Sequence, residues 1–113
     1  MDGPPRAWPA VDPAEAVATV VHSSRSLAQL ERTFELLARD RPAAAIATAD
    51  AIRSAVQILA AHPLLGRRVH GDLRELVISY GQTGFVALYR FVVPKDEVRT
   101  LALRHQREIG FVP

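Results

Sequence analysis

Residues 73–105 read LRELVISYGQTGFVALYRFVVPKDEVRTLALRH, a stretch in which apolar, β-branched runs alternate with short connections. Runs of this kind, bounded by glycine or proline, predict β-strands. The predicted strands cover residues 73–80, 85–93 and 98–105. Because the connections between them are so short, neighbouring strands must run antiparallel.

Two helical patterns precede these strands, in residues 26–39 and 42–61. Their apolar residues recur every three or four positions, which is the spacing of one helix face. These positions are Leu27, Leu30, Phe34 and Leu37 in the first pattern, and Ile46, Ala49, Ile52, Val56 and Leu59 in the second. Burial of each large side chain, such as Phe34, would stabilise the fold by about 1.5–3 kcal/mol.

The ends of both helices carry local signals. Ser26 followed by Gln29 predicts a capping box at the start of the first helix. Pro42 ends that helix, since the residue before a proline avoids helical geometry, and suits the first turn of the second helix. Residues 63–68, which follow the second helix, are predicted to form a loop.

The predicted fold class is α+β with the order β-α-α-β-β-β. Residues 16–22 are short and β-branched and predict the first strand. We expect a mainly antiparallel sheet with the helical hairpin packed on one face, as a single domain over residues 16–110. Residues 1–15 contain four prolines and predict a flexible arm.

Composition and charge narrow the class of protein. Hydrophobic residues make up 49% of the chain, enough for a core, and the chain has no cysteine, which fits a cytoplasmic protein. We expect no membrane span and no secretory signal. Residues 1–62 hold six Arg and seven acidic residues, whereas residues 63–113 hold seven Arg, one Lys and five acidic residues. The C-terminal half therefore favours an anionic partner, either an acidic protein segment or nucleic acid.

Four local motifs resemble the RelE/ParE toxin superfamily, and ParE more closely than RelE. The helical hairpin ends in Pro63-Leu-Leu-Gly66-Arg67, and the next strand opens with Leu-Arg-Glu-Leu at residues 73–76. The following strand ends in Leu-Tyr-Arg at residues 88–90, and the last closes with His-Gln-Arg at 105–107. The resemblance covers roughly residues 17–110, almost the whole chain.

The resemblance implies a growth-inhibiting toxin of a type II toxin–antitoxin system, of the kind that also stabilises plasmids. A cognate antitoxin would bind it in a hetero-oligomer. ParE-like members act on DNA gyrase, which is the favoured interpretation, whereas RelE-like members cut messenger RNA on the ribosome. A third alternative is an inactive relative that only binds the antitoxin.

A ribonuclease without a metal needs an acid or base and clustered cations around the phosphate. The central strands are mainly apolar and offer few cations, which argues against a RelE-type site. A reduced catalytic set remains: His105 as acid or base, Arg90, Arg104 and Arg107 for the phosphate, and Tyr89 to orient. His105 and its neighbour Arg104 point to opposite faces of a regular strand, and Tyr89 on a strand is more often a core residue.

Candidate partner-binding residues are Arg67, Arg68, Arg74 and Arg104. Arg67 has an alternative role as an ion-pair partner of Asp72 or Glu75, and an ion pair between Arg74 and Glu75 is a further expectation. The spacing of the histidines matches no metal site, and no glycine-rich phosphate loop is present. We therefore expect neither a metal nor another cofactor.

Overall fold

The protein contains two helices and five strands in its described part. The structure, a computed structural model, describes residues 16–80 and 83–105. The predicted arm at residues 1–15 lies outside these ranges. The elements, in chain order, are β1 (Thr19–His22), α1 (Ser24–Ala38), α2 (Pro42–Gln57), a 3-10 turn (Ile58–Ala60), β2 (Arg67–His70), β3 (Leu73–Tyr80), β4 (Thr83–Val92), a 3-10 turn (Val93–Lys95) and β5 (Glu97–His105).

The strands form one mixed sheet in the order β1-β5-β4-β3-β2. Strand β1 runs parallel to β5, and all other neighbours are antiparallel. Leu88 pairs with Ala102 and Tyr89 with Thr100, so Leu101 is an extra residue that makes a bulge in β5. The predicted α+β class and the antiparallel arrangement of the three long strands are confirmed.

The core lies between α2 and one face of the sheet. Paired residues share a face of the sheet, and on the core face Ile78 pairs with Phe85. The buried side chains that form one cluster are Ile52, Ala55, Val56, Leu59, Leu76, Ile78, Phe85, Ala87, Tyr89, Val98 and Leu103. Helix α2 contacts β3 while α1 contacts β5, so the predicted packing of the hairpin on one face is confirmed.

Strand β2 was not predicted, because residues 63–68 had been assigned to a loop. All four of its residues are exposed, so no apolar alternation marks it. It forms a hairpin with β3 through Gly71 and Asp72, and Gly71 has a φ of +57°, a left-handed conformation that glycine adopts without strain. The glycine-containing turn between the two strands is the signal that could have predicted this hairpin.

Helix α1 is less buried than its apolar pattern predicts. Leu27 is 45% exposed and Phe34 is 39% exposed, and Ser26 is the buried residue within the helix. The expectation that Phe34 anchors the core is therefore wrong. The reason is the position of α1 over β5, towards the edge of the sheet, where the sheet covers only part of the helix.

The N-terminal cap of α1 is Ser23 rather than Ser26. The Ser23 hydroxyl accepts the Ser26 N–H at 3.0 Å. Gln29 reaches away from the helix start, and its Oε1 accepts the Leu103 N–H of β5 at 2.7 Å. The predicted capping box is therefore wrong, and Gln29 instead joins the helix to the sheet.

Helix α2 and its 3-10 extension span nearly the predicted range of 42–61, and they are more apolar than we expected. The 19 residues Pro42–Ala60 have a mean hydropathy of up to 1.3, which by length and composition would suffice to cross a membrane. Half of this window is buried inside the protein, where α2 packs against the sheet. Core helices pass the same test, and the contacts of α2 are those of a core helix.

Candidate functional site

The face of the sheet opposite the helices carries ion pairs. Arg67 pairs with Glu75, its cross-strand neighbour, as predicted. Arg90 Nε lies 2.9 Å from the Asp72 carboxylate in the β2–β3 turn. Each of these two arginines is therefore paired with its own carboxylate, and the two ion pairs add little net charge to this face of the sheet.

The same pattern continues on β5. Arg99 alternates with the buried Val98 and Thr100, so it points to the helix-free face, and its Nε lies 2.5 Å from Glu97. Arg104 lies on this face as well, opposite Val86. Among residues 16–80 and 83–105, no ion pair involves Arg104, which distinguishes it from the other three arginines on this face.

His105 and Arg104 face opposite sides of the sheet. His105 pairs with Phe85, a core-face residue, and the two rings make an edge-to-face contact with centroids 5.1 Å apart. The β4–β5 register runs without a shift through Arg104 and His105, so neither residue turns to the other side. The two candidate groups are therefore separated by the sheet, and Arg107 lies outside the described residues.

Tyr89 is fully buried on the core face, and its side chain is 0% exposed. Its hydroxyl accepts the Gly66 N–H at 2.7 Å and donates to the Pro63 carbonyl at 2.8 Å. Burial raises the pKa of Tyr89 above its ordinary value, while the Gly66 bond and the charge of Arg74 oppose this increase. The prediction that Tyr89 is a core residue is confirmed, and its hydroxyl joins β4 to the loop before β2.

Arg74 binds the same loop through two of its backbone carbonyls. Its Nη1 donates to the Gly66 carbonyl at 2.8 Å and to the Leu64 carbonyl at 3.2 Å. The predicted ion pair between Arg74 and Glu75 is wrong, because neighbouring residues of β3 point to opposite faces. Arg74 thus lies on the core-face side, opposite Tyr89 in the strand register. The sequence offered no signal for bonds to loop carbonyls.

Arg68 is directly opposite Arg74 in the β2–β3 hairpin. Side chains at such paired positions have Cβ atoms about 4.5–5.5 Å apart, and like charges there repel each other. Within the part of the chain that the structure describes, neither arginine has an ion pair. Next to them, the loop exposes Leu64 and Leu65, which are 60% and 45% exposed.

A groove of about 470 Å³ lies between this loop and the edge of β3. Its lining residues are Leu65, Gly66, Arg67, Glu75, Leu76 and Val77. The Arg67–Glu75 ion pair forms one wall of the groove. The charges of these two polar lining residues cancel, so this wall is close to neutral. The groove suits an apolar side chain better than a phosphate group.

A second polar cluster lies where β1 meets α1. His22 Nδ1 is 2.8 Å from Thr100 Oγ1, and Thr100 Oγ1 is 2.7 Å from Ser26 Oγ. Ser26 Oγ also donates to the Ser23 carbonyl at 3.2 Å. His22 is exposed as a residue, but partial burial of its side chain lowers its pKa below the ordinary value. This chain of bonds links the edge strand β1 to both β5 and α1.

Metal binding has no support from side-chain clustering in the described ranges. There, no group of three or more His, Asp or Glu side chains lies close enough together to hold a metal ion. His22 Nδ1, for example, contacts Thr100 Oγ1 rather than a carboxylate.

The fold, a helical hairpin on one face of a five-stranded mixed sheet, is that of the RelE/ParE toxin superfamily. A solved structure described as the chromosomal ParDE TA system from P. aeruginosa superposes with a TM-score of 0.64. It covers 79% of this chain and 96% of its own at 17% sequence identity, so this likeness concerns the fold.

A family model and a related toxin identify the family to which this chain belongs. The family model described as ParE toxin of type II toxin-antitoxin system, parDE, matches residues 20–110. Toxin RelE3 of Caulobacter vibrioides is 39% identical over 84 residues, which are 74% of this chain and 86% of that toxin. The chain belongs to the ParE toxin family, and it is a toxin of a type II toxin–antitoxin system. Membership in this family implies a cognate antitoxin as its partner.

Proposed function

We propose that this toxin acts in the cytoplasm by poisoning DNA gyrase and that its cognate antitoxin neutralises it. The observation that carries the proposal is the separation of the candidate catalytic side chains. His105 lies on the core face, Arg104 lies on the opposite face, and the Tyr89 hydroxyl bonds to the backbone of the loop before β2.

Distance also argues against a joint catalytic role for Tyr89 and His105. Phe85, the partner of His105, is four residues from Tyr89 along β4, which corresponds to about 13 Å at ~3.3 Å per residue. General acid–base catalysis needs each group within hydrogen-bond reach of the reacting atoms. A single nucleotide therefore does not reach both side chains in this arrangement.

The charge of the helix-free face favours a protein target over RNA. Arg67, Arg90 and Arg99 each contact a carboxylate, and those carboxylates would repel a phosphate backbone. Cleavage of RNA requires cations that stabilise charge on the phosphate. A face of alternating paired charges instead suits recognition of a protein surface.

A RelE-like ribosome-dependent ribonuclease is the second candidate, and two observations favour it. The relative with 39% identity carries the name Toxin RelE3. Arg104 has no ion pair within the described residues, which leaves its guanidinium available for a phosphate. In this alternative His105 supplies the acid or base, and Arg90 and Arg107 assist the phosphate.

Two parallel assays separate the candidates. The purified toxin is added to a gyrase supercoiling reaction on relaxed plasmid, and separately to a translation extract whose mRNA is mapped by primer extension. The proposal expects loss of supercoiling, accumulation of linear DNA and intact mRNA. Cleaved mRNA with normal supercoiling would overturn the proposal in favour of the ribonuclease.

A pair of histidine variants makes the distinction sharper. His105→Ala removes the candidate acid or base, and His70→Ala, on the exposed strand β2, is the matched control. Under the gyrase proposal, the two variants inhibit supercoiling equally. Under the ribonuclease alternative, His105→Ala slows mRNA cleavage by about 100-fold or more, the usual contribution of general acid–base catalysis, while His70→Ala does not.

The antitoxin would cover the apolar side of α1. Leu27 and Phe34 are seven residues apart, two helical turns, so they lie on the same side of the helix. Both are more than a third exposed although they are large and apolar. An amphipathic helix or an extended segment would bury this stripe, a common mode of peptide recognition. Replacement of both residues by Ser should weaken antitoxin binding in a titration while toxicity persists.

A further inference from the structure

We infer that the antitoxin also docks at a second, separate site, where Arg68 and Arg74 bind a carboxylate while Leu64 and Leu65 bind an apolar side chain nearby. We call these four residues the corner site. The inference rests on the proposed function in one respect: its partner is the antitoxin that neutralises the toxin. It does not depend on whether the toxin acts on gyrase or on the ribosome.

In the described part of the chain, the fold leaves the charge of two arginines without a counter-charge. Arg67, Arg90 and Arg99 each have a carboxylate partner, whereas Arg68 and Arg74 have none among residues 16–80 and 83–105. Arg68 and Arg74 are directly opposite each other on adjacent strands, an arrangement that is unfavourable without a counter-charge. A carboxylate placed between them would relieve this repulsion.

Both arginines keep hydrogen-bond donors that a ligand can use. A guanidinium carries five N–H donors in a planar fork. Among the described residues, Arg74 bonds through Nη1 to the carbonyls of Leu64 and Gly66, and its other nitrogens are left for a ligand. Arg68 is exposed on β2, and its donors face the same side of the hairpin. A guanidinium with free donors often binds a carboxylate by two parallel hydrogen bonds.

The apolar half of the corner site is a pair of exposed leucines. Leu64 and Leu65 are large, apolar and exposed, and the Leu64 carbonyl lies 3.2 Å from the Arg74 guanidinium. Tyr89 and Arg74 together bond to the backbone at Pro63, Leu64 and Gly66. The loop therefore presents its leucines with little freedom to lose on binding, a feature that favours affinity.

These features define the chemistry of the partner segment. It carries an Asp or Glu next to a large apolar residue, and both contact the corner site together. A neutral or basic segment would leave the two arginines unpaired, and an acidic segment without an apolar residue would leave the leucines exposed. Charge complementarity thus selects an acidic, apolar protein segment rather than a nucleic acid, which would gain nothing from Leu64 and Leu65.

Titration calorimetry of the full-length toxin with its cognate antitoxin tests the inference. We expect Arg68→Ala to weaken binding by about tenfold and Arg68→Glu to weaken it further, since the charge then repels the carboxylate. Leu64→Ser should have an effect of similar size. Lys95→Ala is the matched control, because it removes an exposed cation from a turn outside the corner site and should leave the affinity unchanged.

Salt dependence gives a second measure. Affinity should decrease with added salt in the wild type, and the decrease should be smaller in Arg68→Ala because one screened charge interaction is gone. Arg68 makes no hydrogen bond that the fold needs in the described part, so its variants should melt at the wild-type temperature. Equal affinities for wild type and all corner-site variants would overturn the inference.

The two proposals fail in different ways. If the wild-type toxin does not bind the antitoxin at all, the proposed neutralisation fails and the corner site loses its partner. If the wild type binds and the Arg68 and Leu64 variants bind equally well, the inference alone is wrong. When expressed without antitoxin, Arg68→Ala should arrest growth as the wild type does, and it should need more antitoxin for rescue.

Discussion

Gly66 and Tyr89 touch each other in a way that leaves no room for a side chain at position 66. The Gly66 N–H donates to the Tyr89 hydroxyl at 2.7 Å. A Cβ atom at Gly66 would lie 2.5 Å from Tyr89 Cε1, 2.6 Å from its hydroxyl oxygen and 2.7 Å from the Glu75 carbonyl oxygen. The glycine of the Pro63–Arg67 motif is therefore required by packing.

Gly66→Ala should destabilise the protein. The new methyl group must displace a buried ring or the β3 backbone, and overpacking of this kind costs about 1–3 kcal/mol. The measurement is the free energy of unfolding in urea. Gly71→Ala is the comparison, because nothing lies within 4 Å of its Cβ and only its left-handed backbone, at about 1–2 kcal/mol, opposes the change.

The two glycine positions also respond differently to asparagine. Asn tolerates a left-handed conformation, so Gly71→Asn should recover most of the stability that Gly71→Ala loses. Gly66→Asn should not recover any, since its obstacle is space rather than backbone conformation. If Gly66→Ala unfolds at the wild-type urea concentration, the close contact with Tyr89 is not a constraint.

Tyr89→Phe should also destabilise the protein, through lost hydrogen bonds rather than lost volume. The change leaves the Gly66 N–H and the Pro63 carbonyl without their partner beside a fully buried ring. Unsatisfied buried polar groups cost about 1–3 kcal/mol. Urea unfolding gives the total loss, and hydrogen exchange at the Gly66 amide should become faster. An unchanged exchange rate at Gly66 would argue that the hydroxyl does not hold this loop.

Much of the fold could be predicted because buried elements leave a pattern in the sequence. Strands β3, β4 and β5 are runs of apolar and β-branched residues bounded by glycine or proline, and α2 buries a stripe with helical spacing. Strand β2 buries neither face, and its residues Arg67–His70 carry no such pattern. A strand that exists only through backbone pairing is not visible in the order of apolar residues.

Less of the candidate site could be predicted. The Arg67–Glu75 pair was predictable because both side chains are charged and close in sequence. The roles of Arg74 and Tyr89 were not, because their partners are backbone carbonyl and amide groups of Pro63, Leu64 and Gly66, which every sequence contains. Phe34 fitted a core pattern, yet its exposure depends on where α1 sits relative to the sheet.

Ser23→Ala should reduce the stability of α1 and of its attachment to the sheet. The Ser23 hydroxyl accepts the Ser26 N–H and donates to the Leu101 carbonyl at 3.2 Å. Loss of a serine N-cap costs about 0.5–2 kcal/mol. Ser24→Ala, at an exposed neighbouring position, is the matched control and should cost little. Equal unfolding free energies for the two variants would show that Ser23 is not the cap.

The hydrogen-bond chain at the β1–α1 junction predicts which nitrogen of neutral His22 carries the proton. A hydroxyl has one hydrogen to donate. Ser26 donates to the Ser23 carbonyl, so Thr100 must donate to Ser26 and must accept from His22 Nδ1–H. We therefore expect the Nδ1–H tautomer, with Nε2 as the site that gains a proton in acid. Imidazole ¹⁵N chemical shifts report the tautomer.

Thr100→Val should abolish this tautomer preference, since it removes the acceptor while keeping the shape of the side chain.

The pKa of His22 is lowered by burial, so the folded state binds fewer protons than the unfolded state at pH values below 6.5. Stability should therefore decrease as the pH falls from 6.5 to the lowered pKa, and the decrease should be absent in His22→Asn. The hydrogen bond from His22 Nδ1–H to Thr100 persists when the imidazole is charged. The loss of stability in acid should therefore come from burial of the charged side chain, and the pairing of β1 with β5 should stay intact. If the ¹⁵N shifts instead show Nε2–H at neutral pH, the direction of the whole chain is reversed and the Ser26 hydroxyl must donate to Thr100.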